Sequence, residues 1–326
     1  MTHTTLRVTA CVIALAMIPP CNAADTTSYP VRPVRLLVPS TPGGSVDTLA
    51  RAVAMRLTEK WGQQVVVDNR AGAGGVIGAE LTAKAPPDGY TVLMCTIAAC
   101  ATSVSLHRSL PYDPLKDFEP VTLVATQNLL LMLHPSIPAA SVRDLVALAK
   151  ANPGRYAFSS AGNGTGGHLS GELFKMLAGV DLLHVPYKGV APAIVDVVSG
   201  QVSMTFSSIL TALPQVKSGK LKALAVTGSK RSPAAPELPT MMEAGVKGYE
   251  SATWYAVLAP AKTSKEIVGK LNSDIVAILR QPEVRDRLSK EGADPVGSTP
   301  QELAAYMKSE IAKWSKVVKA ARIQAN

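Results

Sequence analysis

No stretch of this sequence supplies the ~20 uninterrupted apolar residues that an ordinary membrane-spanning helix needs; the apolar run at 8–18 is too short. Cysteine is scarce, four in 326 residues, and no histidine stands at zinc-site spacing from a cysteine pair, so no metal is expected. No Gly-Lys-Ser or Gly-Lys-Thr follows a glycine turn and no Gly-x-Ser-x-Gly occurs, which removes the main sequence supports for nucleotide hydrolysis and esterase chemistry. Basic runs are missing too. The formal net charge is +9, but the 33 lysines and arginines are dispersed along amphipathic segments and the aromatics, 5% of the chain, do not interleave with them. Nucleic acid is therefore not an expected partner. A mildly basic surface that steers small anions is the better reading.

What is present begins with a leader. Arg7, the apolar run, Pro19-Pro20 and the small residues Asn22-Ala23-Ala24 read as a secretory signal peptide over 1–24, cleaved near 23–24. Its removal takes Arg7 and leaves a net charge of +8. Pro19 and Pro20 occupy the positions where lipid attachment at Cys21 would need small residues, so Cys21 reads as discarded with the leader. Cys95 and Cys100 remain. In an oxidising compartment a turn between them would let them close a small loop, whereas a straight strand would hold them about 16 Å apart. About 300 residues, nearly half apolar, are enough for two cores and two domains.

β-Branched runs alternate with helical spacing along the whole chain. Strands are expected at 34–39, 64–68 and 90–95, with helices at 46–61 and 74–85 between them; the rhythm restarts at 156–160. The segment 121–134 is wide enough for one strand leaving a domain and another entering the next, and helices close the chain at 264–280, 282–291 and 300–321. Repeated βα units imply a mostly parallel sheet with helices on both faces.

Two glycine-rich strand-to-helix turns stand out, one in each half: Pro42-Gly43-Gly44-Ser45 with Asp47, and Gly162-Asn163-Gly164-Thr165-Gly166-Gly167 with His168. Such turns leave backbone N–H groups unpaired at the positive end of a helix dipole, a setting for a carboxylate or phosphate. The second also fits the dinucleotide fingerprint, but the following strand ends in Pro186-Tyr187 where that fold places an acidic residue, so no cofactor is expected. A purely structural tight turn is the plainer alternative. Asp47 in the first turn of its helix reads as a cap or a brace, or as a partner for a ligand ammonium. His168 reads as packing beneath its loop or donating to a ligand oxygen. Trp254 reads as core or as a cleft wall. Ends of parallel strands nominate Ser40, Thr41, Thr96, Ser160, Tyr187, Ser207 and Ser208 as further cleft residues.

Beyond these turns, an ordered set of motifs spans the mature chain: Ala50-Arg51 after Pro42-Gly43-Gly44, Val67-Asp68-Asn69-Arg70-Ala71-Gly72-Ala73-Gly74-Gly75, Pro87-Asp88-Gly89-Tyr90, Leu110-Pro111-Tyr112-Asp113-Pro114 and His184-Val185-Pro186-Tyr187-Lys188-Gly189. The sequence resembles the Bug family of periplasmic solute receptors, the extracytoplasmic components of tripartite tricarboxylate transporters. The resemblance implies an α/β, two-domain type II periplasmic-binding-protein fold, each domain a mostly parallel sheet flanked by helices. It implies domains at 25–125 plus 253–326 and at 126–252, with crossings near Ala125 and Ser251. It further implies a monomeric receptor, not an enzyme, that holds a small carboxylate through main-chain amides, hydroxyls and waters and delivers it to membrane subunits or a sensor. Carried onto this chain, Thr41–Ser45 forms one jaw, Ser160–Thr165 the other, and Tyr187 and Ser207 the walls. Two departures from the family pattern are Ser203 in place of a usual aspartate and the apolar loop Ile97-Ala98-Ala99-Cys100-Ala101, which would favour a ligand with an apolar body if it lined the cleft. An exported enzyme acting on a carboxylate, with His168 and Asp47 as acid and base, is the alternative from another class.

Overall fold

The computed structural model describes residues 29–323 apart from 188 and 291. The expected leader and Cys21 therefore lie outside the described residues, as does Lys188. The first half runs β1 (Val34–Val38), α1 (Ser45–Trp61), β2 (Val65–Asn69), a tight turn at Ala73–Gly75 into α2 (Val76–Ala83), and β3 (Thr91–Thr96). A π-turn at Ala98–Thr102 leads into α3 (Ser103–Leu106) and then β4 (Phe118–Leu133). The second half follows with α4 (Val142–Ala151), β5 (Ala157–Ser160), α5 (Gly166–Ala178), β6 (Leu183–Pro186), α6 (Val190–Val198), β7 (Met204–Ser208), α7 (Ile209–Lys217) and β8 (Lys222–Val226). The chain returns along β9 (Ala252–Pro260), then α8 (Lys265–Leu279), α9 (Pro282–Lys290), β10 (Ala293–Pro295) and α10 (Pro300–Ala320).

The alternating pattern expected from the sequence is recovered within a residue or two at most ends. Gly62 stops α1 in the left-handed region with its N–H on Thr58 O, and Ser141 caps α4 by accepting from Asp144 N, both as the sequence reading requires. Three elements were not foreseen. The 98–106 segment coils because its alanines and hydroxyl residues pack on the core with no glycine or proline to break it; α7 carries Pro214 in its interior; and β10 is too short to show a period. The segment 121–134 is also one strand and not two: β4 is 16 residues long, about 53 Å, and absorbs its curvature in register shifts at Pro120/Thr122 and Leu123/Ala125.

Each half keeps a parallel trio, β2-β1-β3 in the first and β7-β5-β6 in the second. The long strands β4 and β9 run antiparallel between them, so the whole sheet is mixed, ordered β2-β1-β3-β9-β4-β7-β5-β6. β4 pairs with β9 as far as Asn128↔Ala252 and with β7 from Leu129↔Ser208 onward. Its partners therefore change between Asn128 and Leu129.

That register positions the site. The C-terminal end of β3 lies at Thr96↔Tyr255, and Tyr255 faces Ala125 on β4; the C-terminal end of β7 lies at Ser208↔Leu129. The two ends meet the same strand four positions apart, about 13 Å, approaching from opposite directions. β1 and β5 run parallel to β3 and β7, so the turns that follow all four strands converge on the waist of β4. One apolar core underlies both halves and includes Leu37, Leu131, Phe158, Trp254 and Trp314, with α10 laid across it. Trp254 is fully buried and donates to Glu310 Oε2 at 3.0 Å, so its place is core and not cleft wall.

Candidate functional site

Helix caps divide by position in this fold. The helices that follow the parallel strands toward the waist, α1, α2, α5, α6 and α7, begin at Gly44, Gly75, Thr165, Gly189 and Ser208 without a side-chain cap bond. Of those that begin elsewhere, α4, α8 and α10 are capped by Ser141, Ser264 and Thr299, the last in a full capping box with Glu302. The unsatisfied N–H ends, each carrying roughly half a positive charge, are thus gathered at the waist.

In the first jaw Thr41, Pro42 and Gly43 are exposed, and Gly44 and Ser45 are partly so. Gly43 takes a φ of +84°, which lets its N–H turn back to Asp47 Oδ2 at 2.9 Å. Asp47 is buried and fully engaged: Oδ2 also accepts from Arg51 Nε at 3.0 Å, and Oδ1 from Asn69 Nδ2 at 3.0 Å. Asn69 Nδ2 reaches Ser40 O as well. Burial pushes this carboxyl up, but the donors Arg51, Gly43 and Asn69 outweigh it and hold the group below the usual carboxylate range. Asp47 braces the loop from behind.

The second jaw is braced in the same manner by other chemistry. Ser160 Oγ bonds Gly162 at both its carbonyl and its N–H, each at 3.1 Å, and meets His184 Nε2 at 2.7 Å. Thr165 Oγ1 donates to Gly162 O at 2.7 Å. Gly164 N donates to His168 Nδ1 at 3.1 Å, so the proton of that ring is on Nε2, facing Glu172 at 3.9 Å. The His168 and His184 rings stack at 3.7 Å with their planes nearly parallel, and the His184 ring stacks in turn on Phe158. Burial first, then the neighbouring His184 and Lys175, push His168 down to about 3; burial and Lys175 push His184 down to about 4. With Asp47 and His168 both committed to holding loops, neither stands as an acid or base over a reacting group. Asn163 is partly exposed at the tip of this loop.

The remaining expected residues flank these turns. Thr96 is partly exposed, and its Oγ1 accepts from Ala99 N at 3.4 Å. Ser207 and Ser208 share the Thr211 hydroxyl at 3.0 and 2.8 Å. Tyr187 donates its N–H to Ser160 O at 2.9 Å, and its hydroxyl bonds Asp196. Burial and then Asp196 push that phenol up to about 12. The apolar loop does not line a cleft with its side chains: Ile97, Ala99, Cys100 and Ala101 are buried, leaving only Ala98 partly exposed. Cys95 and Cys100 form a disulfide across Cα atoms 6.3 Å apart, because the π-turn bends the chain straight after β3. Ser203, where the family pattern has aspartate, accepts from Ala157 N and leaves its strand intact.

Sequence reasoning missed the polar waist. Tyr255 donates to Gln127 Oε1 at 2.9 Å and lies in hydrogen-bonding reach of Ser45 and Thr253; burial, opposed by those hydroxyls, pushes it up to about 12. Asn128, also buried, lies against Gly228. Thr126-Gln127-Asn128 between the apolar stretches Leu123-Val124-Ala125 and Leu129-Leu130-Leu131-Met132-Leu133 was the available signal. A surface hollow of about 480 Å³ beside α3, lined by Val104, Arg108, Tyr112 and Asp117 among others, includes none of the jaw residues.

Comparison with known proteins places this geometry. Residues 49–323 match the model of the tripartite tricarboxylate transporter family receptor. The chain is 40% identical to the protein BugT of Bordetella pertussis over 96% of each. It is 42% identical to Rpa4515 of R. palustris, solved with adipate, with a TM-score of 0.85 over 91% of this chain and 99% of that one. It is 34% identical to MatC of Rhodopseudomonas palustris, solved with bound malate, with a TM-score of 0.80 over 89% of this chain and all of the other.

Proposed function

Because the chain belongs to the tripartite tricarboxylate transporter receptor family, a family of solute-binding receptors and not of enzymes, we propose that it captures a small carboxylate at the waist of β4. The observation that carries this reading is the gathering of uncapped helix N-termini there, while α4, α8 and α10, which begin elsewhere, cap themselves. The ligand oxygens take the amides of Thr41, Gly44 and Ser45 on one side, where Pro42 and the Asp47-bound Gly43 shape the turn, and the loop of Ser160, Gly162, Asn163 and Thr165 on the other. Hydroxyls of Ser45, Thr96 and Ser207 and the Tyr187 ring complete the walls, and waters fill the remainder. Asp47 and His168 serve by fixing the two loops. An anion held this way needs no arginine clamp, since the two dipole ends and hydrogen bonds to a charged acceptor supply the attraction.

The domains are 25–125 with 253–326, and 126–252; they close on the ligand because only the closed state offers both sets of donors. The protein acts as a periplasmic monomer after loss of 1–24, and the closed form is what the membrane subunits of a tripartite transporter, or a sensor, read. Among the described residues no helix is long and apolar enough to cross a membrane. Adipate and malate, bound by the two similar proteins above, are the first probes. The test is thermal denaturation of the chain from Asp25 onward against mono-, di- and tricarboxylates, aromatic acids and amino acids. A receptor gives a raised melting temperature with one class, the compound recovered unchanged after long incubation. Turnover of the compound overturns the receptor reading, and absence of any shift across the panel overturns the carboxylate.

A further inference from the structure

The second glycine turn touches the first half of the molecule directly. Thr102, fully buried at the end of the π-turn, directs its Oγ1 proton to Gly164 O at 3.1 Å, the shorter of its two acceptor contacts, the other being Ala98 O of its own turn at 3.3 Å. Leu106, one helical turn on, lies so close to the Gly164 Cα that an added Cβ would overlap its Cδ1 and press on Thr102 Oγ1 at 3.2 Å. Gly164 also has a φ of +73°, so only glycine meets both demands. Its N–H is given to His168 Nδ1 and its carbonyl to Thr102, so both main-chain groups of this residue are engaged within the protein.

Both sides of the contact are held in place. The π-turn bearing Thr102 is pinned by the Cys95–Cys100 disulfide and by Tyr112, whose hydroxyl donates to Ala99 O at 2.6 Å. The loop bearing Gly164 rests on the stacked rings of His168 and His184.

We propose that Thr102 and Leu106 form a clasp on Gly164 that sets how far the empty molecule closes, and so tunes affinity without touching the ligand. Gly164 is then a clasp residue and not a ligand contact. The proposal rests on the reading that the two halves close on one another, and it is independent of which carboxylate binds. Thr102→Val keeps the shape of the side chain and removes the donor, leaving Gly164 O without it. The closed fraction of the empty protein should fall about fivefold, the effect of one lost buried hydrogen bond.

The experiment is a pulsed spin-label distance measurement on the mature chain labelled at Met55→Cys in α1 and Lys217→Cys in α7, both exposed. Without ligand, Thr102→Val should move the distribution to longer distances, with Leu106→Ala acting in the same direction and Thr102→Ser, which keeps the hydroxyl, restoring the wild-type distribution. With adipate as probe, Thr102→Val should weaken affinity by a similar factor, expressed in the dissociation rate. A shift in distances when neither protein binds adipate upholds the clasp and counts only against that ligand. Distributions that coincide for wild type, Thr102→Val and Leu106→Ala overturn the clasp, whatever adipate does.

Discussion

At the scale of single residues, buried polar side chains hold the backbone of both glycine turns. Asp47 gathers Gly43, Arg51 and Asn69, and His168 receives Gly164, so each loop is held by a buried group behind it. The histidine pair makes this scheme sensitive to acid. In the folded protein His168 and His184 stay neutral down to about pH 3 and 4, whereas in the unfolded chain they take up protons below about 6.5. The unfolded state therefore binds more protons through that window, and stability falls as pH drops from 6.5 towards 4, by up to about 1.4 kcal/mol per pH unit for each ring. Urea denaturation at pH 7 and pH 5 should show this loss. His184→Phe, which retains a ring in the stack, should roughly halve it; the same pH dependence in both proteins would mean that His184 is charged in the native state.

Among the elements, the π-turn after β3 carries the greatest share of unforeseen structure. It buries the apolar loop and delivers Thr102 to the opposite half. The disulfide closes a loop with a separation of only five residues, and such a link stabilises chiefly by narrowing the unfolded ensemble. The Cys95→Ala/Cys100→Ala double variant should lose about 2 kcal/mol in chemical denaturation. Loss of stability that disappears when wild type is measured under reducing conditions would confirm that the covalent link, and not side-chain packing, is responsible. A double variant as stable as the oxidised wild type would contradict it.

For the whole molecule, the returning strand and the final helix are joined by one buried carboxylate. Glu310 on α10 accepts from Trp254 on β9 at 3.0 Å and from Trp314 at 2.7 Å, fastening the C-terminal helix to the strand that crosses the waist. Glu310→Ala leaves two buried indole N–H groups without that acceptor and should cost about 3 kcal/mol in urea denaturation, whereas Glu310→Gln keeps an acceptor and should cost less. Equal losses in the two variants would show that the negative charge, and not a neutral acceptor or side-chain packing, is what Glu310 provides.

Local signals carried far in this protein. Period-two and helical spacing, Gly62, the Ser141 cap and the two glycine turns each depend on neighbours a few residues apart, so the alternating βα order and the positions of both glycine turns were legible in the chain. The ordered motifs added the family. What tertiary structure alone decided depends on contacts between distant segments: that 121–134 is one strand, that Thr126-Gln127-Asn128 becomes a polar waist, that Cys95 and Cys100 meet, and that Thr102 reaches Gly164. The roles of Asp47 and His168 belong to the same class. A carboxylate or an imidazole beside a glycine turn has the same local sequence whether it faces a solute or the loop's own N–H groups, and only the packed fold fixes the direction in which it points.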